Sequence, residues 1–497
     1  MAHRILGLDI GHTEVNAVLA EATWRATTVL GVYTERVPAP DEVKHRLVPA
    51  ELEPETAGTI MDTAATAEDE STPEIAETTE PAPPWVYAIG DLLKKQALEF
   101  NEVYVTMPGT VATSRIISLP FENRRRLEQV LPFELENLVP FDLEKMHLSF
   151  EVLGKDPAGG FHILVTLTPH TEAARFLGHL AEAGIDPKVV VPSPYALFAA
   201  AKQALPGEMG TLAVMDLGAT HTDVAILSEG ELIDLRTLPF GSRIFDDELG
   251  KAMNAEGDKA EQIKIEKGDI AGGGTGNDIL RRTAATLIGR LRQTFRGVRS
   301  EREVDITRIY LTGRGSLMTG MADFLGAELD VEVDRLQPLA DDLPVSIDLR
   351  EPVDQSRFSI PFALINLGLG DLRALKLNLR HGLFSYKRQQ LALQSSVRNI
   401  AIVGGIVLVL FLYNVIAGHM QKRRQYEVLS EQVVELYMKA FPGSAPPLRP
   451  LEQFQQQIGK TVVKHKTVGF FGDSNLRGIE ILKALSEQIP FDVKIDI

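Results

Sequence analysis

LGLDIGHTEVNAVLAE, residues 6–21, is an apolar run broken once by Asp9-Ile10-Gly11-His12-Thr13 and resumed immediately afterwards. Two short strands around a tight polar turn is the reading, because apolar β-formers flank residues that favour turns. A third strand is expected over 24–37. The same pattern returns about 200 residues later: an apolar run over 212–216, a turn carrying Asp216, Gly218 and Thr220, and strands over 224–228 and 232–237. Two such units in one chain indicate a duplicated domain pair. Between and after them the pattern predicts strands at 103–107, 115–118, 161–168 and 188–191 and helices at 172–183, 194–204 and 281–296. A helix is also expected over 122–139, with Leu127, Val130, Leu131 and Leu138 on one face despite Pro132. A strand over 308–312 enters Gly313-Arg314-Gly315-Ser316 ahead of a helix over 317–325. Strands and helices in alternation make this an α/β chain.

The chain has 497 residues, room for about three domains at roughly 150 residues each, and no cysteine. Thiolate metal sites, cysteine nucleophiles and disulfide staples are therefore excluded. The formal net charge of −17 has the wrong sign for a protein that neutralises phosphates along a nucleic acid. That charge is concentrated. Residues 38–84 carry twelve acidic side chains against Lys44 and Arg46, with eight prolines and no aromatic residue before Trp85. Such a composition buries too little apolar surface to offset its ordering entropy, so 38–84 reads as a disordered insertion, either a solvated loop or an acidic docking tether.

IAIVGGIVLVLFLYNVIA, residues 400–417, contains no charge and one strongly polar residue, Asn414. As a helix it would be about 27 Å long, near the thickness of a bilayer core. A transmembrane helix over 400–418 is expected, running through Ile400, Gly404, Leu408, Phe411 and Ala417. The basic flanks tie, with Lys387, Arg388 and Arg398 before it and Lys422, Arg423 and Arg424 after it, so charge alone does not orient it. The opening residues lack the basic and apolar regions of a signal peptide, which points to a cytoplasmic N-terminal part and a far-side C-terminal part. Beyond the span, Tyr426, Leu429, Val433, Leu436 and Ala440 form a short heptad seam, read either as a partner-docking face or as a plain extension of the helix. A helix over 476–488 and a strand over 491–497 cannot close a core alone; either a partner completes them or a longer chain does.

The glycine turns carry the chemistry. A glycine directly after a strand lets backbone N–H groups approach phosphate oxygens, a hydroxyl adds a donor, and an aspartate can hold a hydrated Mg²⁺. Turns facing each other across a duplicated pair would clamp a triphosphate. Candidate nucleotide-binding residues are therefore Asp9, Gly11, Thr13, Asp216, Gly218, Thr220, Gly313 and Gly315, with no catalytic residue and no protein metal site assigned. His12 and His221 lack a second ligand at metal spacing and read as solvated turn residues. Gly272 to Gly274 lacks the Gly-Lys-Ser/Thr ending of a phosphate loop and reads as a flexible connection.

With these motifs in place, the chain resembles the actin-like ATPase superfamily, and within it the pilus-assembly and secretion branch. Residues 6–21 are similar to its first phosphate motif, VMDLGATHTDVAILSEGELIDLRTLPFG (214–241) to the second, and IYLTGRGSLMTGMADFLG (309–326) to the adenosine motif. LPFELENLVPFDLEKMHLSFEVLG (131–154) resembles that branch's small inserted subdomain. NLRHGLFSYKR (378–388), one membrane helix and LYMKAFPGSAPPLRPLEQF (436–454) follow in the order of the bitopic protein L family of the type II secretion system. The resemblance implies a duplicated actin-like (ribonuclease H-like) cytoplasmic domain over 1–385 and a juxtamembrane linker over 386–399. It further implies the inner-membrane helix, a periplasmic helix and linker over 419–475, and the start of an α+β ferredoxin-like domain over 476–497. The implied partners are the hexameric secretion ATPase, the single-pass protein M and the pseudopilus machinery, with a homodimer expected and no nucleic acid.

Departures from the active relatives bear on turnover. Asn16 stands where a basic side chain often follows the first turn, and His12 where a small hydroxyl residue is usual. Ser193 stands at the place of the water-positioning glutamate, and serine is a poor base unless another group activates it. Arg314 replaces a small residue and would crowd a base or stack on it. The expectation is a structural adaptor, a non-hydrolysing pseudo-ATPase that requires no cofactor, with ATP and Mg²⁺ as the ligands a degenerate cleft would take; the alternatives are a nucleotide-switched ATPase of the same fold and a type IV pilus or cell-division membrane anchor. Glu134, Glu136, Asp142 and Glu144 beside Phe133 and Phe141 form a candidate docking face for the motor.

Overall fold

The computed structural model describes residues 3–22, 27–43, 81–156, 159–255, 258–337, 352–369, 376–443 and 445–467. Most of the acidic insertion and the expected helix and strand at 476–497 lie outside the described residues. The chain divides into two units, Met1–Lys387 and Arg388–Ile497.

The first unit is built on two five-stranded sheets with the same layout. In one, β1 (His3–Ile10), β2 (Glu14–Ala22) and β3 (Thr27–Arg36) form an antiparallel meander, and β4 (Glu102–Met107) and β8 (Val189–Pro192) continue it in parallel, in the order β3-β2-β1-β4-β8. In the other, β9 (Thr211–Leu217), β10 (Thr222–Ser228), β11 (Glu231–Leu238), β12 (Arg308–Thr312) and β13 (Glu332–Arg335) repeat it as β11-β10-β9-β12-β13. The duplication legible in the two Asp-x-Gly turns is thus a duplication of whole sheets.

Helices cover the sheets on both faces. α5 (Ser193–Ala204) and α10 (Pro352–Leu369) share one apolar cluster with β1, β2, β9 and β10, and so fill the space between the two sheets. α2 (Pro84–Gln96) and α4 (His170–Glu182) close the outer face of the first sheet. α6 (Arg243–Met253), α8 (Thr275–Arg302) and α9 (Met321–Leu329) close that of the second. Two further helices, α1 (Pro40–Val43) and α7 (Asp258–Lys267), lie beside them in sequence.

A three-stranded antiparallel sheet, β5 (Thr113–Leu119), β7 (Phe161–Pro169) and β6 (Met146–Lys155), forms an inserted subdomain with α3 (Arg124–Glu136). Asn123 caps α3, its side chain accepting the Arg126 N–H at 3.2 Å. The helix is shorter than the 122–139 expected, and its buried stripe is Leu127, Leu131 and Leu135, one residue per turn. Leu138, expected on that face, lies beyond the helix end and is 44% exposed. Strand β6 was not predicted, although Met146, Leu148, Phe150 and Val152 alternate with His147, Ser149 and Glu151; the structure buries that polar face against other elements instead of opening it to water.

Two more expectations change. The helix expected over 317–325 is a 3₁₀ turn at Arg314–Leu317 followed by α9, because Gly320 takes a positive φ of 75° and interrupts it. The connection around Gly272 is tied down, not loose: the Arg281 guanidinium donates to the carbonyls of Ile270 and Gly272 at 3.0 and 2.8 Å.

In the second unit the backbone is one helix, α11, over Lys387–Ala440, continuous through the stretch expected as a juxtamembrane linker, and α12 follows over Pro450–Thr467. Side chains of 387–404 and 406 lie outside the described residues; among those described, no helix is long and apolar enough to cross a membrane. The apolar side chains from Val407 to Tyr413 are open, 49–71% exposed. Of the expected seam, Tyr426, Leu429 and Leu436 are also exposed. The buried residue is its neighbour Tyr437, whose ring meets Phe441 and Phe454, so α11 and α12 pack through an aromatic cluster.

Candidate functional site: a polar cleft between the two sheets

The turns β1–β2 and β9–β10 are closed the same way. Gly11 N–H donates to the Glu14 carbonyl at 3.0 Å and Gly218 N–H to that of His221 at 3.1 Å. Both turns face one cavity of about 1250 Å³. Asp9, Gly11, Thr13, Asp216, Gly218, Thr220 and Gly313 all line it. Gly315 does not. It is buried against Leu217, where a Cβ would meet the leucine Cγ at 2.5 Å, so it serves packing. Gly313 combines a positive φ of 78° with a Cα whose Cβ would fall 2.0 Å from Asp216 Oδ1; only glycine lets the third loop close onto the second turn.

Three carboxylates form the floor. Asp9 accepts from the Thr106 hydroxyl at 2.8 Å, and burial pushes its pKa up to about 6 against that hydrogen bond, with the Asp223 charge adding to the rise. Asp216 is pushed well above the usual carboxylate range by burial and by the charges of Asp9 and Asp223. Asp223 is raised by burial although His221 and the hydroxyls of Ser193 and Thr237 favour its charge; both hydroxyls donate to it at 2.5 Å. Sequence reading missed Asp223. An aspartate between threonine and valine inside an apolar strand was the available signal, since aspartate is depleted in strands.

The positions that depart from the active relatives are occupied by structural contacts. Ser193 is held at both sides: it accepts the Gly109 N–H at 2.9 Å and gives its proton to Asp223. Asn16 is buried and accepts the Thr34 hydroxyl at 2.9 Å. Arg314 reaches across to Glu14 at 2.5 Å, where Arg357 of α10 also donates at 3.2 Å, so one carboxylate of the first turn holds two guanidiniums from elsewhere. His12 is exposed in its turn, as expected, and His221 is half-buried, and both have partners. His12 accepts from Arg243 at 2.6 Å, and its pKa is lowered by burial and by the nearby Arg243 and His221 charges. His221 contacts Thr220 and lies 3.7 Å from Asp223.

The residues fit a metal–nucleotide in one respect that the structure shows. Three carboxylates with raised pKa values and little counter-charge, Asp223 buried and Asp9 and Asp216 half-buried at the cavity wall, make a floor that a divalent cation would relieve. Among the described residues, no three acidic or histidine side chains are placed to hold a metal ion directly, so such an ion would keep its own water. On the inserted subdomain, the acidic face expected at the end of α3 is at the surface, with Phe133 73% exposed and Phe141 also exposed.

Sequence and structure comparisons give consistent matches. The family described as type IV pilus assembly protein PilM matches residues 85–369. The PilM–PilN type IV pilus biogenesis complex is 19% identical, with a TM-score of 0.57 over 75% of this chain and 98% of the other. The cytoplasmic domain of EpsL, an inner-membrane component of the type II secretion system of Vibrio cholerae, is 13% identical, with a TM-score of 0.34 over 77% of this chain and all of that one. Cell division protein FtsA of Neisseria meningitidis serogroup B is 28% identical over 143 residues, 24% of this chain. The chain spans about a third of the length of that curated relative, 34%. The fold is the actin-like ATPase fold, as the duplicated sheets and the cleft between them require.

Proposed function

The chain belongs to the family of type IV pilus assembly protein PilM, and from that premise we propose that it is a membrane-anchored assembly adaptor of the type II secretion system. Its actin-like unit faces the cytoplasm and recruits a hexameric secretion ATPase. The apolar stretch of α11 is its inner-membrane span, and the following residues meet a single-pass protein M and the pseudopilus machinery. The observation that carries this reading is the actin-like unit followed in one chain by a helix with open apolar side chains from Val407 onward. A contiguous apolar surface of that kind is costly in water and calls for lipid or a partner. Residues 400–417 carry no charge, which favours lipid.

In this reading the cleft binds MgATP without turning it over. Ser193 is a neutral hydroxyl whose proton goes to Asp223 and one of whose two lone pairs takes the Gly109 N–H, a poor base for an attacking water. The test is gentle solubilisation of tagged full-length protein from its native membrane, with the co-purifying proteins identified by mass spectrometry. Recovery of a secretion ATPase together with a second single-pass protein is the expected result. Recovery of type IV pilus components would move the assignment to the machine for which the matched family is named. Recovery of division-ring components would refute the secretion role.

A further inference from the structure

We infer that Arg243, the first residue of α6, is the cation that engages the terminal phosphate of a nucleotide in the cleft. The inference rests on the reading of the cleft as a nucleotide site and names the residue that distinguishes among nucleotides there.

The main chain at Arg243 is fixed to the second turn. Its N–H donates to the Ala219 carbonyl and that of Ser242 to the Gly218 carbonyl, both at 2.9 Å. Gly241 approaches so closely that a Cβ there would meet the Ala219 oxygen at 2.3 Å, so this junction has no room to shift. From that anchor the side chain crosses to the first turn, 231 residues away, where Nη1 donates to His12 Nε2. Arg243 therefore stands between the two turns and lines the same cavity.

Its present partner is a weak one. Arginine only donates, so His12 Nε2 accepts and the imidazole is neutral with its proton on Nδ1. That bond is the only hydrogen bond or ion pair of the guanidinium among the described residues, although Asp9, Asp216 and Asp223 share the cavity. The neighbouring arginines Arg314 and Arg357 are both matched to Glu14; among the described residues Arg243 has no carboxylate partner. The cavity thus combines three floor carboxylates with a lining of mixed charge in which Arg243, beside Asp246 and Asp247, stands between the turns. A divalent cation bound to a polyphosphate presents the complementary pair, the cation toward the carboxylates and phosphate oxygens toward the guanidinium. A charged phosphate oxygen is a stronger acceptor than a neutral imidazole, so the ligand displaces His12 from Arg243.

The test is calorimetric titration of the full-length protein in detergent with MgATP and with MgADP. The variants are Arg243→Ala, Arg243→Lys and His12→Ala. Losing a charge-assisted hydrogen bond to the terminal phosphate weakens MgATP binding at least about tenfold in Arg243→Ala and MgADP binding less. Arg243→Lys falls between, and His12→Ala, which removes the competing acceptor, binds MgATP as well as or better than the unaltered chain. Equal losses for both nucleotides, no loss, or a His12→Ala variant as impaired as Arg243→Ala would overturn the inference and make the contact a latch between the halves. If the unaltered chain binds neither nucleotide, the nucleotide reading fails and takes the inference with it. If it binds both and Arg243→Ala binds equally well, only the inference fails. Thermal melting accompanies each titration; should Arg243→Ala melt early, Arg243→Lys, which keeps charge and bulk, decides.

Discussion

Replacing Asp9 by Asn should stabilise the nucleotide-free protein at neutral pH and do almost nothing in acid. The carboxyl sits at the end of β1 in the floor of the cleft, and burial lifts its pKa from 3.8 to about 6. Because the folded value lies above the unfolded one, the folded state binds the extra proton. The associated stability is fully present below about pH 3.8 and is lost as pH rises through about 6. At pH 7.5 the ionised form therefore costs at most about 3 kcal/mol, from a rise of about 2 pKa units at 1.36 kcal/mol each. At pH 4 the folded carboxyl is almost fully protonated and the unfolded one about two-fifths so, and the cost falls to about 0.5 kcal/mol. Asn removes the charge and keeps an oxygen for the Thr106 hydroxyl to donate to. The assay is urea unfolding of both proteins at several pH values, followed by the fluorescence of the two tryptophans, of which Trp85 packs on Phe176 in the same unit. The difference between the two curves cancels distant titrating groups and reports Asp9 together with Asp216, whose pKa the Asp9 charge raises. A variant less stable than the parent at pH 7.5, or one whose advantage is unchanged at pH 4, would show that the Asp9 charge carries no burial cost and would remove the argument that the floor awaits a cation.

The opposite sign is expected at His147, where burial and the neighbouring His381 lower the pKa from 6.5 to about 4. Its contribution is present above about pH 6.5 and is lost as pH falls toward 4, up to about 3 kcal/mol. His147→Gln should flatten that part of the pH–stability curve, and an unchanged slope in urea titrations would refute it. Glu14→Gln should lower stability by about 1–3 kcal/mol, because the Arg314 and Arg357 guanidiniums then face each other without a carboxylate. The loss should shrink in high salt, since Arg314 is partly open to solvent, and a urea midpoint equal to that of the parent would show the pair to be idle.

Features that depend on neighbouring residues were legible in the chain itself. An Asp-x-Gly turn between apolar runs closes through a bond spanning three residues, so both phosphate-type turns, and with them the repeated sheet, could be read directly. The uncharged stretch 400–417 declares its length and its apolar character without any tertiary partner. α3 was half legible: its existence followed from the spacing, but its buried stripe depends on which face meets β5–β7, and that moved the register from Leu138 to Leu135.

What the cleft can do was decided by tertiary structure. Asp223 becomes a third floor carboxylate only because Ser193 and Thr237 come from other elements to meet it. Arg314 and Glu14 are 300 residues apart, Arg357 and Glu14 are 343 apart, and Arg243 and His12 are 231 apart. No local periodicity encodes such pairs. They form when α5 and α10 pack between two sheets and bring the ends of β1 and β9 face to face. Backbone conformation answers to the next few residues, whereas the charge and proton affinity of a buried group answer to whatever the fold places within a few ångströms of it.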